Sequence, residues 1–144
     1  MTAKVRYEDT TAGQKLPHKE VSVDRLALLL FGGRTMRLDF AATHWSERIS
    51  RSVGLPDVIM HGPFTLGKVL EIVNGWTGDP GALVEHRIRL TRPVPVPDDA
   101  TGAVFLLSGT VEEKLPGNRV RVEVTAASPE GQVLATLHAT VQLA

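Results

Sequence analysis

The chain has 144 residues, enough for one domain around one buried core. Its 16 basic and 16 acidic residues cancel and hydrophobic residues make up 42%, a globular mix with no electrostatic footprint for nucleic acid or a membrane surface. Cysteine is absent, which excludes disulfides and thiolate metal sites.

Residues 1–14 are polar and lack the apolar core that a signal peptide needs, so a cytoplasmic location is expected. Residues 1–13 are expected to be flexible. His18 to Val23 alternates weakly and reads as a first strand. Ser22 and Asp24 are both N-cap candidates for a short apolar helix, Arg25 to Phe31, with Gly32-Gly33 as its stop. Leu26 to Phe31 is the longest strongly apolar run, far too short to span a bilayer. Arg34 to Thr43 is irregular and delivers Asp39 and then His44. Trp45 to Val53 has helical character, Gly54 stops it, and Leu55 to Met60 is an apolar connection.

Gly62 to Trp76 predicts a long helix, with Pro63 in the first turn where a missing N–H costs nothing. Phe64, Leu66, Val69, Leu70, Val73 and Trp76 fall near a 3.6-residue period, and Ile72 widens the stripe. A helix so apolar on most sides is expected to be buried. Gly78-Asp79-Pro80-Gly81 is a turn. The period then changes to two. Leu83 to Thr91 predicts a strand with Val84, His86, Ile88 and Leu90 on an apolar face, where His86 reads as a core histidine. Pro93, Pro95 and Pro97 punctuate a connection, and strands follow at Ala103–Glu113, Arg119–Ala127 and Gln132–Leu143. Turns at Pro116-Gly117-Asn118 and Pro129-Glu130-Gly131 make these hairpins. The class is α+β, a single domain over 1–144, with an antiparallel sheet wrapped around one long central helix.

Asp39 and His44 stand five residues apart. A carboxylate and an imidazole together can move two protons at opposite ends of one bond, although such spacing also arises by chance. The plainer alternative is a helix-capping Asp39 and an incidental His44. His61-Gly62 directly precedes the long helix, whose N-terminus offers unpaired N–H groups and the positive end of the helix dipole. Such an end can hold a developing oxyanion, and glycine permits close approach of a ligand.

The segments Asp39-Phe-Ala-Ala-Thr-His44, Val53-Gly54-Leu55 and Ile59-Met60-His61-Gly62 together resemble the signature of the MaoC-like (R)-specific hydratase/dehydratase family. Gly75 to Ala82 and Arg92 to Asp99 further resemble the catalytic B-type subunits of mycobacterial (3R)-hydroxyacyl-ACP dehydratases. The resemblance covers residues 14–144. It implies a hot-dog fold and reversible hydration or dehydration of trans-2-enoyl and (3R)-3-hydroxyacyl thioesters, on CoA or acyl-carrier protein. It implies Asp39, His44 and Gly62 as catalytic residues and His61, Ala41, Pro63 and Phe64 as substrate-binding ones. No metal or redox cofactor is implied. The expected partner is a second hot dog, in a homodimer or a heterodimer with a related subunit.

The chain departs from that signature in three places. Ala41 replaces an asparagine, Ala42 a proline, and Leu38 the glycine before the aspartate. A positioned amide donor is typically worth about 10²–10³ in rate. The alternative reading is therefore a non-catalytic acyl-thioester-binding subunit of a hetero-oligomeric dehydratase.

Overall fold

Among the described residues, five strands and three α-helices occur in the order β1 (Lys19–Val23), α1 (Arg25–Thr35), α2 (Glu47–Ser52), α3 (Gly62–Thr77), β2 (Leu83–Leu90), β3 (Ala103–Leu115), β4 (Arg119–Ala127) and β5 (Val133–Gln142). The computed structural model describes residues 3–35 and 41–144. All strand pairs are antiparallel, and the sheet order is β1-β3-β4-β5-β2. The two hairpins expected from the turn residues are β3–β4 and β4–β5. Asn118, with φ of 54°, and Gly117, with φ of 74°, supply the left-handed backbone of the first.

Alternation decides which face carries the core. Val120, Val122, Val124 and Ala126 of β4 are buried, as are Phe105, Leu107 and Val111 of β3 and Leu137, Ala139 and Val141 of β5. These residues meet Val69, Ile72 and Val73 of α3, which packs against β2, β3 and β4. The result is the expected hot-dog arrangement, with the sheet curled around α3.

Helix α3 starts where its sequence says, at Gly62, and ends one residue beyond the expected Trp76. Gly78 stops it in the left-handed conformation, φ 70°, and donates its N–H to Asn74 O at 2.8 Å. The buried face is Thr65, Val69, Ile72, Val73 and Thr77, while Gly67 and Gly75 are exposed and Phe64, Leu66, Leu70 and Trp76 are only half-buried. The helix is central as expected, but it is buried along one face rather than all round. Two threonines hold core positions because their hydroxyls donate back along the helix, Thr65 to His61 O at 3.2 Å and Thr77 to Val73 O at 3.1 Å.

Other expectations need correction. Asp24, not Ser22, caps α1, accepting from Ala27 N–H at 2.8 Å, and Ser22 donates to Thr101 O instead. Helix α1 runs through Gly32-Gly33 to Thr35, since glycine permits a left-handed stop without requiring one. His86 is exposed, as are Val84 and Leu90; β2 is an edge strand, with no strand paired to its outer flank among the described residues. Within the segment expected to be flexible, several of the described residues make close contacts. Thr10 is fully buried, Lys4 N–H donates to Thr77 O at 2.7 Å, and Tyr7 N–H donates to Ala144 O at 2.9 Å.

Glu71 on the outer side of α3 pairs with Lys19 of β1 and with Lys68, the latter at 2.8 Å. Burial pushes its carboxyl up, but hydrogen bonds and charge from Lys19 and Lys68 outweigh this and hold it below its ordinary value of 4.5. A lowered carboxylate adds stability above its unfolded value and loses it as pH falls through the folded one. Glu71→Gln should therefore cost under about 1 kcal/mol at pH 7, given the half-exposed pair. The gap to wild type should close below about pH 4.5. Urea midpoints measured at neutral and acid pH check this; a gap of equal size at both would contradict it.

Candidate active site

The site grows from a short extended segment, residues 58–60, laid beside residues 94–96. Val96 N–H donates to Val58 O at 2.7 Å and Met60 N–H to Val94 O at 2.9 Å, with Ile59 bridging to Pro95. Prolines at 93, 95 and 97 lack an N–H, so pairing uses only the intervening valines, both buried. This fixes the Ile59 peptide, and Ile59 in turn fixes His44.

His44 ends a 3-10 turn, Ala42–His44, and is half-buried. Ile59 N–H donates to Thr43 O at 3.0 Å, and Ser50 Oγ–H donates to the same oxygen at 3.0 Å. The His44 ring closes the clamp, with Nδ1 2.7 Å from Ile59 O. A carbonyl can only accept, so Nδ1 carries the hydrogen, and in the neutral ring Nε2 holds the lone pair.

Against one face of His44 lies His61, with ring centroids 3.9 Å apart and planes at 25°. His61 is the N-cap of α3, and its carbonyl accepts Thr65 N–H at 2.9 Å. The same peptide unit carries the Gly62 N–H. In a trans peptide the two point in opposite directions, so this N–H points out of the helix N-terminus.

Two cavities meet at His44. One, of about 390 Å³, is lined by Leu28, Leu29, Gly32, Gly33, Trp45 and His61 with His44. Its walls are apolar apart from the imidazoles. The second, of about 270 Å³, has Gly62, Thr65, Met60 and residues 90–94 in its wall beside His44. A Cβ on Gly62 would come within 2.9 Å of Leu90 Cδ1, so glycine keeps this approach open.

The structure thus brings together His44, His61 and Gly62 of the expected site. Asp39 lies outside the described residues. Ala41 and Pro63 are exposed, and they line neither cavity. Phe64 also lines neither; it stacks on Phe31 at 4.8 Å and 11°. Sequence reading missed the α1 wall of the larger cavity. It also missed Trp45, which is 54% exposed and lines that cavity. The available signal was Gly32-Gly33: two glycines kept inside a helix leave room against one of its faces.

Arg25 braces the shell around the site. Its side chain, 19% exposed, donates to Val96 O at 3.0 Å and pairs with Asp57 and with Glu47 at 3.2 Å. It therefore ties α1 to α2 and to both paired segments. Arg25→Met should destabilise the protein by about 2–3 kcal/mol, because Asp57 and the Val96 carbonyl lose a charged donor in a mostly dry place. Urea unfolding measures this, and a loss below about 0.5 kcal/mol would contradict the brace.

Glu112, Glu123 and His138 form the one group among the described residues whose ligand atoms come within metal-binding reach of one another. Glu123 stands between Val122 and Val124, which face the core, so the group lies on the sheet's outer face, away from α3. No helix among the described residues is long and apolar enough to cross a membrane.

Residues 8–128 match the MaoC like domain family. No curated protein sequence matches the chain. Among solved structures, a MaoC-like dehydratase superposes with a TM-score of 0.88 at 30% identity, covering 96% of this chain and 42% of that one. The chain thus spans about two fifths of that protein's length. R-hydratase PhaJ1 from Pseudomonas aeruginosa superposes at 0.81 with 22% identity, covering 99% of this chain and 89% of that one. The HadBC (3R-hydroxyacyl-ACP dehydratase) complex from Mycobacterium tuberculosis superposes at 0.72 with 14% identity, covering 93% of this chain and 98% of that one.

Proposed function

Because the chain belongs to the MaoC-like domain family, we propose that it reversibly hydrates trans-2-enoyl thioesters to (3R)-3-hydroxyacyl thioesters, carried on CoA or acyl-carrier protein. The observation that carries this reading is His44, a ring with a fixed Nδ1–H donor and an Nε2 lone pair, at the junction of an apolar cavity and the start of α3. A fatty-acyl tail suits the larger cavity, and the thioester suits the smaller one.

In the dehydration direction the α-proton leaves C2 for His44 Nε2. The Gly62 N–H and the positive end of α3 hold the charge that grows on the thioester oxygen. Asp39, assigned on the sequence motif, protonates the 3-hydroxyl as it leaves as water. In hydration Asp39 takes a proton from the attacking water while His44, protonated at Nε2, gives one to C2; one water is added, the two groups end with their protonation states exchanged, and a proton passing from Asp39 to His44 through solvent resets them. No step calls for a metal or redox group. PhaJ1, an R-hydratase of the same fold, supports the direction of this reading.

A second hot dog is the proposed partner, homologous or identical. The support is the edge strand β2, where Val84 is 53% and Leu90 48% exposed, and edge strands are normally covered. The HadBC complex pairs two chains, which supports a heterodimer as much as a homodimer.

The test is direct. Purified protein is mixed with crotonyl-CoA and longer trans-2-enoyl-CoAs, and loss of enoyl absorbance is followed. Hydration that Asp39→Asn abolishes is expected. The competing reading, a non-catalytic thioester-binding subunit, is favoured by Ala41 and Ala42, which replace a polar amide and a rigid proline in the motif. It predicts thioester binding without turnover.

A further inference from the structure

We propose that His61 is a positioning residue that sets the plane of the His44 ring, an inference that rests on the hydratase reading above. The motif alone suggested that His61 touches substrate. His61 borders the larger cavity, but its ring is taken up mainly by other rings. His61 is 2% exposed, and one face of its ring covers His44. Beyond it Phe31 lies at 5.3 Å and 55°, and Phe31 stacks on Phe64. Four rings therefore form a column from the 3-10 turn at His44, through the N-cap of α3, to α1 and back to the first turn of α3. Phe64 follows His61 by three residues, the spacing that puts both on one side of that turn.

His44 needs this support because its own anchor is incomplete. The hydrogen bond from Nδ1 to Ile59 O fixes one edge of the ring and leaves a hinge about that bond. A flat neighbour 3.9 Å away removes the hinge. Together the two restraints fix where Nε2 aims. His61 also fixes the second reacting group. Its carbonyl accepts from Thr65 N–H and from Thr65 Oγ1–H, and the peptide so held carries the Gly62 N–H. One residue thus keeps base and oxyanion donor in register, and a misplacement of about 1 Å can cost about 10²-fold in rate.

The experiment compares His61→Ala, His61→Leu and His61→Phe with wild type, using kcat and KM on a trans-2-enoyl-CoA and the NMR shift of the His44 ring Hε1. Ala opens the space, Leu fills it without a flat face, and Phe restores the face without nitrogen. Ala and Leu should lower kcat by about 10–100-fold with KM changed less than about threefold, whereas Phe should return kcat to within about threefold of wild type. The His44 Hε1 resonance should lose its ring-current shift in Ala and Leu and keep it in Phe. If His61→Ala does not fold, the Leu and Phe pair decides. A Phe variant as slow as Leu, a change in KM alone, or Ala and Leu variants as fast as wild type would each overturn the proposal. Should the wild type hydrate nothing, the hydratase reading falls by itself. The resonance then decides the ring contact, and a His44 shift unchanged in Leu would overturn that contact.

Discussion

Replacing His44 with alanine should lower kcat for enoyl-thioester hydration by about 10²–10⁴-fold, the usual worth of a positioned general acid–base group. The loss should fall on kcat with KM little changed, because the ring acts on a proton that moves only in the chemical step. Stability should fall by only about 1 kcal/mol, since one hydrogen bond, Nδ1–H to Ile59 O, is lost at a half-buried place. Added imidazole should restore part of the rate by entering the vacated space between the two cavities. His44→Gln should not restore it, because an amide can donate to Ile59 O but has no basic nitrogen. Steady-state kinetics and thermal melts of the three proteins check this. A His44→Ala enzyme within threefold (roughly, on the scale of a single lost contact) of wild type would remove His44 from the mechanism.

Gly62→Ala is the second large effect. The added methyl would stand 2.9 Å from Leu90 Cδ1, and both residues line the smaller cavity. The N–H remains, but the path to it narrows. A thioester carbonyl held off its donor forfeits what that donor supplies, about 10²–10³ in kcat/KM. The fold should tolerate the change to within about 1 kcal/mol, because alanine favours a helix over glycine and the Leu90 side chain is half exposed and able to shift. Leu90→Ala placed on Gly62→Ala should then recover part of the activity by clearing the clash. No recovery, with Gly62→Ala folded and slow, would mean that the methyl acts by some route other than crowding against Leu90.

Much of this fold was legible because its signals are local. Pro63 and Gly78 bracket α3, and Gly117-Asn118 marks a hairpin, each through backbone preferences that need no tertiary context. Strand order was not legible. That β1 pairs with β3 and β2 with β5 depends on contacts between residues about 80 and 50 positions apart, as in Val21 with Phe105 and Ile88 with Leu137. The same limit hid the exposure of His86. Its alternating apolar neighbours describe a strand correctly, but alternation cannot say that the strand lies at an edge.

The site divides in the same way. His44, His61 and Gly62 were picked out by motif, and the structure gathers them. Their mutual geometry was beyond reach of the sequence, because it runs through Ile59, whose place depends on pairing with Pro95. Pro63 and Phe64 came with Gly62 from the resemblance, yet successive helical residues point 100° apart. Phe64 turns toward Phe31 instead. Leu28, Leu29 and Trp45 escaped notice because an apolar wall and an apolar core share one composition.

The most direct test of the central claim is the configuration of the product. Wild-type protein is given trans-2-enoyl-CoAs of increasing chain length, and the 3-hydroxyacyl product is resolved on a chiral phase. The account predicts hydration that yields the (3R) product and disappears in His44→Ala. A (3S) product, or no hydration at any chain length by the protein alone or with a hot-dog partner, would contradict it.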